Sequence, residues 1–299
     1  MHTPPPTGSR ATALALLCSV MLLWGLNWPI MKVTLAEVPA IWFCAARMAM
    51  ASLSLFALQA ALGAIRLPKR ADLAVLASTG ILQIAIQNAC INLALQRVPA
   101  GRASVLAYAT PLWVLPGAAL LLGEKVTGRR LAALVLGLAG LLLLFNPASL
   151  DWSDGRALSG NALLLAASLA TAVPLLHMRR HRWHATAFEM APWQCGLAAV
   201  VVTPIALLAE GTPAVTWHPL LGLAFLYAAI PCTAFGMWAM TRFTRALPAM
   251  TTALGLLGVP LVGVLSSAVA LGEPITATLV AAQLLIAAGV VIGTSSRDG

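Results

Sequence analysis

The segment Val98-Pro99-Ala100 through Gly123-Glu124-Lys125-Val126-Thr127 returns, without a gap, as Leu247-Pro248-Ala249 through Gly272-Glu273-Pro274-Ile275-Thr276. Pro99, Pro111, Gly123, Glu124, Thr127 and Gly140 each recur 149 residues later, as Pro248, Pro260, Gly272, Glu273, Thr276 and Gly289. A period this long is too large for a solenoid and equals half of the 299 residues. Each copy is therefore expected to form one structural half, 1–149 and 150–299.

What the halves are made of follows from their surface chemistry. Globular domains carry roughly 25% charged residues, whereas this chain has 9%, with 60% hydrophobic residues. Such a chain belongs in a lipid bilayer. Continuous apolar runs, rather than alternating ones, argue for helices over a barrel, because a spanning helix satisfies its own backbone. At about 20 residues per crossing, ten spans are expected, near 12–31, 39–62, 72–95, 102–122, 130–146, 158–178, 187–208, 217–241, 248–271 and 277–295. The fold class expected is thus an all-α integral membrane protein. Loops are short, so the two halves form one membrane unit.

The net charge of +9 does not point to nucleic acid, because the basic residues lie between apolar runs and act as topology signals. The side of the amino terminus carries Arg10, Arg66, Lys69, Arg70, Lys125, Arg129, Arg130, Arg179, Arg180, Arg182, Arg242, Arg245 and Arg297. The opposite side has Lys32, Arg97, Arg102 and Arg156. Both termini are expected in the cytoplasm, and the first apolar run, which continues to Met31, is expected to be retained as a span rather than cleaved. Five spans per copy is an odd number, so the second copy enters the membrane upside down. Inverted repeats of this kind recur in secondary transporters, where a midplane site opens alternately to either side.

Trp24-Gly25-Leu26-Asn27-Trp28, Ala46-Arg47-Met48, Pro99-Ala100-Gly101-Arg102-Ala103-Ser104, Pro111 ahead of Gly123-Glu124, and the second copy's Pro248, Pro260 and Gly272-Glu273 resemble the EamA family of the drug/metabolite transporter superfamily. The resemblance covers nearly the whole chain through order, spacing and duplication. It implies a ten-helix carrier of the bacterial inner membrane, commonly an exporter of amino acids or related small metabolites, and leaves the substrate open. One departure is that Val173-Pro174 stands where the first half has Trp24-Gly25.

Polar groups inside spans are costly in lipid and face a bundle interior or cavity. In the third span Gln83 and Gln87, and likewise Asn88 and Asn92, lie four residues apart and form adjacent strips of one polar sector. Their mates at the same offset are Cys232, Gly236, Met237 and Thr241, so the polar lining is lopsided. Either these amides join helices, or they line a cavity for an asymmetric polar solute; as a cluster they favour the cavity. With Asn27, Thr171 and the aromatic residues Trp24, Tyr108, Trp113 and Trp238, which fall too deep for an interfacial belt, they form the expected substrate cavity. Pro111 and Pro260 break matching spans and are candidate hinges.

Other features have plainer readings. Arg47 is the only charge well within a span; either it attracts a carboxylate substrate or, as the preferred expectation, it snorkels to the nearer interface. Glu124 and Glu273 stand in tight turns before short spans, with Thr127 and Thr276 as N-caps, and are expected to complement the positive end of the next helix. His177, His181 and His184 would share a helical face, but no acid joins them in the sequence, so no metal is expected. The five cysteines sit singly in apolar runs and read as small core hydrophobes. No GxxxxGK[ST] loop occurs, so neither ATP drive nor any other cofactor is expected. The function expected is secondary export of small amino-acid-like or amphipathic metabolites by alternating access, with a small-molecule substrate and the bilayer as partners. The alternatives are an exporter of drugs or organic cations, and a membrane-embedded receptor or enzyme without transport.

Overall fold

The structure, a computed structural model, describes residues 10–123, 127–145, 154–182, 184–247 and 249–294. Within them the chain is helical and contains no strand. In chain order the helices are α1 (Arg10–Glu37), α2 (Ala40–Ala61), α3 (Arg70–Leu95), α4 (Ala100–Ala107 and Pro111–Leu122), α5 (Gly128–Phe145), α6 (Gly155–Arg180), α7 (Ala187–Glu210), α8 (Pro219–Tyr227, Ala228–Phe235 and Gly236–Ala246), α9 (Ala249–Leu256 and Gly258–Leu271) and α10 (Ala277–Thr294). Seven helices among the described residues are long and apolar enough to cross a membrane, and three shorter apolar stretches follow at Leu131–Leu143, Gly258–Leu271 and Ala277–Ile292. Of the three, Gly258–Leu271 is short because α9 is interrupted at Leu257. α5 and α10 have 18 residues each, about 27 Å of helix, slightly less than a hydrocarbon core of about 30 Å.

Packing follows the duplication. α2 lies against α7, α4 against α9 and α5 against α10, so each of these meets its own counterpart. The other major contacts between the halves come in matched pairs: α1 with α8 and α6 with α3, α1 with α9 and α6 with α4, α2 with α8 and α7 with α3; the smaller contacts of α1 with α3 and α4 break the symmetry. The backbone irregularities are matched as well. α4 is interrupted just ahead of Pro111, and α9 is interrupted at Leu257, three residues ahead of Pro260. Gly123 and Gly272 close the two helices in the left-handed region, with φ of 66° and 65°, where a side chain would be strained.

One matched irregularity was not foreseen. α3 widens into π-helix over Ser78–Ile86 and α8 over Ala228–Phe235. In α8 the cause is Pro231, which lacks the N–H needed to continue the regular ladder. In α3 no proline is present, but the Ser78 and Thr79 hydroxyls donate to the Val75 carbonyl and compete for the local acceptors.

The helix ends correct the expectation for Glu273. Its carboxylate does not serve the following helix; Oε1 and Oε2 accept from the backbone N–H groups of Ala100 and Gly101 at 2.7 and 2.8 Å, capping α4 of the other half. Pro99 stands at that N-cap and makes no side-chain cap, which leaves the first donors of α4 to be satisfied from elsewhere. The arrangement recurs at α2, where Pro39 is the N-cap and Glu210, from the end of α7, accepts from Ile41 and Trp42. Thr276 does cap α10 by accepting from Leu279, as expected, whereas Glu124 lies outside the described residues. Glu273→Ala is expected to lower stability by about 1–2 kcal/mol, read as a lower unfolding midpoint of the purified protein in detergent. An unchanged midpoint would mean that water serves those two donors equally well.

Candidate functional site

The centre of the bundle is organised by a cation. Arg47, on α2, is 8% exposed, so the expectation that it snorkels to an interface is corrected. The reason lies in α8: the π-helical turn presents acceptors that a regular helix would keep to itself. Arg47 Nε donates to the Ala228 carbonyl at 3.2 Å and to Thr233 Oγ1 at 3.0 Å, while Thr233 in turn donates to the same carbonyl at 2.8 Å. Nη1 reaches Met31 Sδ at 3.3 Å and Asn88 Oδ1 at 3.5 Å. The guanidinium thereby joins α1, α2, α3 and α8. No carboxylate pairs with it among the described residues, and its Nη2 is left without a described partner. A charge withdrawn from water loses on the order of several kcal/mol of solvation, which neutral acceptors offset only in part.

The expected cavity residues fall into three groups, of which the first touches Arg47. On α3, Asn88 holds Arg47, and its amide donates to Ile84; Gln83 and Gln87 are half-buried and form no side-chain hydrogen bond among the described residues. On the α1–α8 seam, Trp24 Nε1 donates to the Cys232 carbonyl at 2.7 Å, inside the π-helical turn. Tyr227 Oη and Cys232 Sγ both donate to the Leu23 carbonyl there. Trp24 and Trp238 flank the same apolar cluster, where Trp238 also contacts Phe235 and carries Arg242 over its ring at 5.5 Å. Asn27, one turn beyond Trp24, is buried with its Oδ1 unpartnered among the described residues. On α4 and α6, Trp113 Nε1 donates to Ser168 at 2.7 Å, one turn from Thr171, whose hydroxyl is taken by Ala167. Tyr108 packs on the central core at the α4 break.

These contacts do not weld the residues into one closed chamber. Two clefts open elsewhere: one of about 270 Å³ between Arg102, Glu273 and Thr278, and an apolar one of about 490 Å³ between α1, α8 and α9. Neither is lined by an expected cavity residue. Arg47, Thr233 and the Ala228 carbonyl were absent from the expected set. Arg47 carried the available signal, being the one charge deep within a span, but its partners depend on a π-helical turn that no local sequence rule announces.

The histidines depart further from expectation. α6 ends at Arg180, so His181 and His184 lie in the connection to α7 and do not share a helical face with His177. An acid does join them: buried Asp72, from the start of α3, accepts from both His181 and His184.

Comparison with known proteins places this architecture. The model of a family described as the EamA-like transporter family matches residues 11–146 and again residues 158–294. The uncharacterized transporter YoaV of Bacillus subtilis is 25% identical over 282 residues, covering 92% of this chain and 94% of that one. A probable amino-acid metabolite efflux pump of Salmonella typhimurium is 28% identical over 294 residues, covering 93% of each chain. A protein of known crystal structure superposes with a TM-score of 0.65 at 23% identity, over 96% of this chain and 97% of the other.

Proposed function

The chain belongs to the EamA-like transporter family, and on that premise we propose that it is a secondary transporter exporting small amino-acid-like metabolites by alternating access. In this reading residues 1–149 and 150–299 are the two five-span halves, the second inverted relative to the first, in a bacterial inner membrane with both termini cytoplasmic. The matched packing supports it, because exchanging α1–α5 with α6–α10 maps α2–α7, α4–α9 and α5–α10 onto themselves and swaps the major contacts α1–α8 with α6–α3, α1–α9 with α6–α4 and α2–α8 with α7–α3, as two halves exchanging conformations require. The breaks at Pro111 and Pro260 would be the hinges. The seven long helices and three shorter apolar ones would supply the ten crossings, with the loop arginines setting their orientation.

The observation that carries the substrate class is Arg47. A buried guanidinium with neutral partners and one idle nitrogen is complementary to a carboxylate, which it binds through charge-assisted hydrogen bonds. Gln83, Gln87 and Asn27 would then receive the polar remainder of the solute, with Trp24, Tyr108, Trp113 and Trp238 as apolar walls and Thr171 at the margin. The same buried charge disfavours organic cations, which it would repel. The efflux-pump relatives support the direction of transport.

The experiment is counterflow in proteoliposomes with paired solutes: amino acids, and the corresponding amines lacking the carboxylate. Saturable flux of the carboxylate-bearing member of each pair is expected. Equal flux of the amines would overturn the carboxylate reading, and no saturable flux for any solute would overturn transport of this class.

A further inference from the structure

The connection between α6 and α7 folds back onto the first turn of α3, and it brings together groups that the transport reading does not use. Asp72 is fully buried there. Its Oδ1 lies 2.7 Å from His181 Nε2 and 3.2 Å from His184 Nδ1, and the three donor atoms all fall within 4.8 Å of one another. Its Oδ2 is buried without a partner among the described residues. One oxygen of this buried carboxylate is crowded by two imidazoles and the backbone N–H of His184 at 3.3 Å, while the other is left unsatisfied by the protein alone. Two donors bound to one tetrahedral ion at about 2.0–2.1 Å stand roughly 3.3 Å apart, a spacing that the imidazoles reach with small side-chain rotations.

We propose that Asp72, His181 and His184 bind a divalent transition-metal ion of the Zn²⁺ type, with a fourth position open to water. Two imidazole nitrogens and a carboxylate are borderline donors, which suit Zn²⁺, Co²⁺, Ni²⁺ or Cu²⁺ and not the oxygen-seeking Mg²⁺ or Ca²⁺. The open side is provided by His184, whose side chain is 44% exposed. Cations surround the site, and they weaken it without occupying it. Lys69, Arg70, Arg179 and Arg182 are exposed, where salt screens them over about 8–10 Å, and Arg180 is drawn toward the Leu121 carbonyl. His177 stands outside the set, since its Nδ1 is held by Ser78 Oγ at 2.9 Å. The bound ion would fasten the start of α3 to the α6–α7 connection, at the membrane face that carries most of the loop arginines.

The test uses the full chain purified without a polyhistidine tag, stripped with chelator and titrated with Co²⁺. One equivalent is expected to bind, giving the visible bands of four-coordinate cobalt, and Zn²⁺ should displace it. His184→Ala and His181→Gln should each weaken binding at least as much as losing a metal ligand's outer-shell partner does, about 10–100-fold, while His177→Ala should leave it unchanged. His184→Ala removes the more exposed of the two side chains, 44% against 14%, so its folding serves as the control for the more buried His181. Binding that survives both substitutions, or a titration with no saturable equivalent, would overturn the proposal and leave the cluster as one carboxylate hydrogen-bonded to two histidines.

Discussion

Arg47→Gln is expected to leave the protein folded and inserted while cutting counterflow of its carboxylate-bearing solute by about 100-fold. Gln retains one donor for the Ala228 carbonyl and Thr233, which Arg47 Nε now serves at 3.2 and 3.0 Å, so the link between α2 and α8 survives in part. What it removes is the charge. Truncating one member of a buried charged pair costs 2–5 kcal/mol, and about 1.4 kcal/mol is tenfold in affinity, which sets the size of the effect. Arg47→Lys should fall between the two. Its ammonium keeps the charge but not the planar fork that meets Thr233, Asn88 and a ligand at once. The competing role makes the opposite forecast: if Arg47 only joins helices, replacing it by an apolar residue of similar volume is neutral or stabilising. Arg47→Met with undiminished flux would therefore sink the carboxylate reading, and thermal stability measured on the same preparations separates the two roles.

How much of this was legible in the sequence can be judged residue by residue. The matching of Pro111 with Pro260 and of Gly123-Glu124 with Gly272-Glu273 foretold two helix breaks and two tight turns, because proline and glycine act on the backbone locally. The apolar runs gave the helices to within a few residues. Glu273 shows where the reading fails. Its neighbours in sequence pointed to the next helix, but the donors left without partners behind Pro99 belong to the other half, and a contact 173 residues away leaves no local trace. Asp72 and the histidines fail for the same reason: the acid was sought beside them in sequence, whereas the fold delivers it from the start of α3. Of the expected cavity residues, Asn27, Gln83 and Gln87 were chosen by the rule that polar groups point inward in lipid; Asn27 is buried and the two glutamines are half-buried. The rule says nothing of which partner they find there.

The duplicated pair Gly140 and Gly289 yields the largest stability effect. Both lie in the contact between α5 and α10, and both face backbone. A Cβ on Gly140 would stand 2.8 Å from the Ala282 carbonyl oxygen, and one on Gly289 2.7 Å from that of Ala133. Side chains can rotate away from such an intrusion; a helical carbonyl cannot. Gly140→Val and Gly289→Val are each expected to cost about 3 kcal/mol, the upper end for overpacking, by prising apart two helices that depend on close backbone approach. Alanine makes the sharper comparison. In a helix it gains about 1 kcal/mol over glycine, and at Gly222, where no atom lies within 4 Å of the added carbon, that gain should appear as a raised unfolding midpoint. At Gly140 and Gly289 the same substitution should lower the midpoint. Because the two glycines open one interface, the double variant should cost less than the sum of the singles. Equal responses at Gly140 and Gly222 would show that the α5–α10 approach is looser than these distances require.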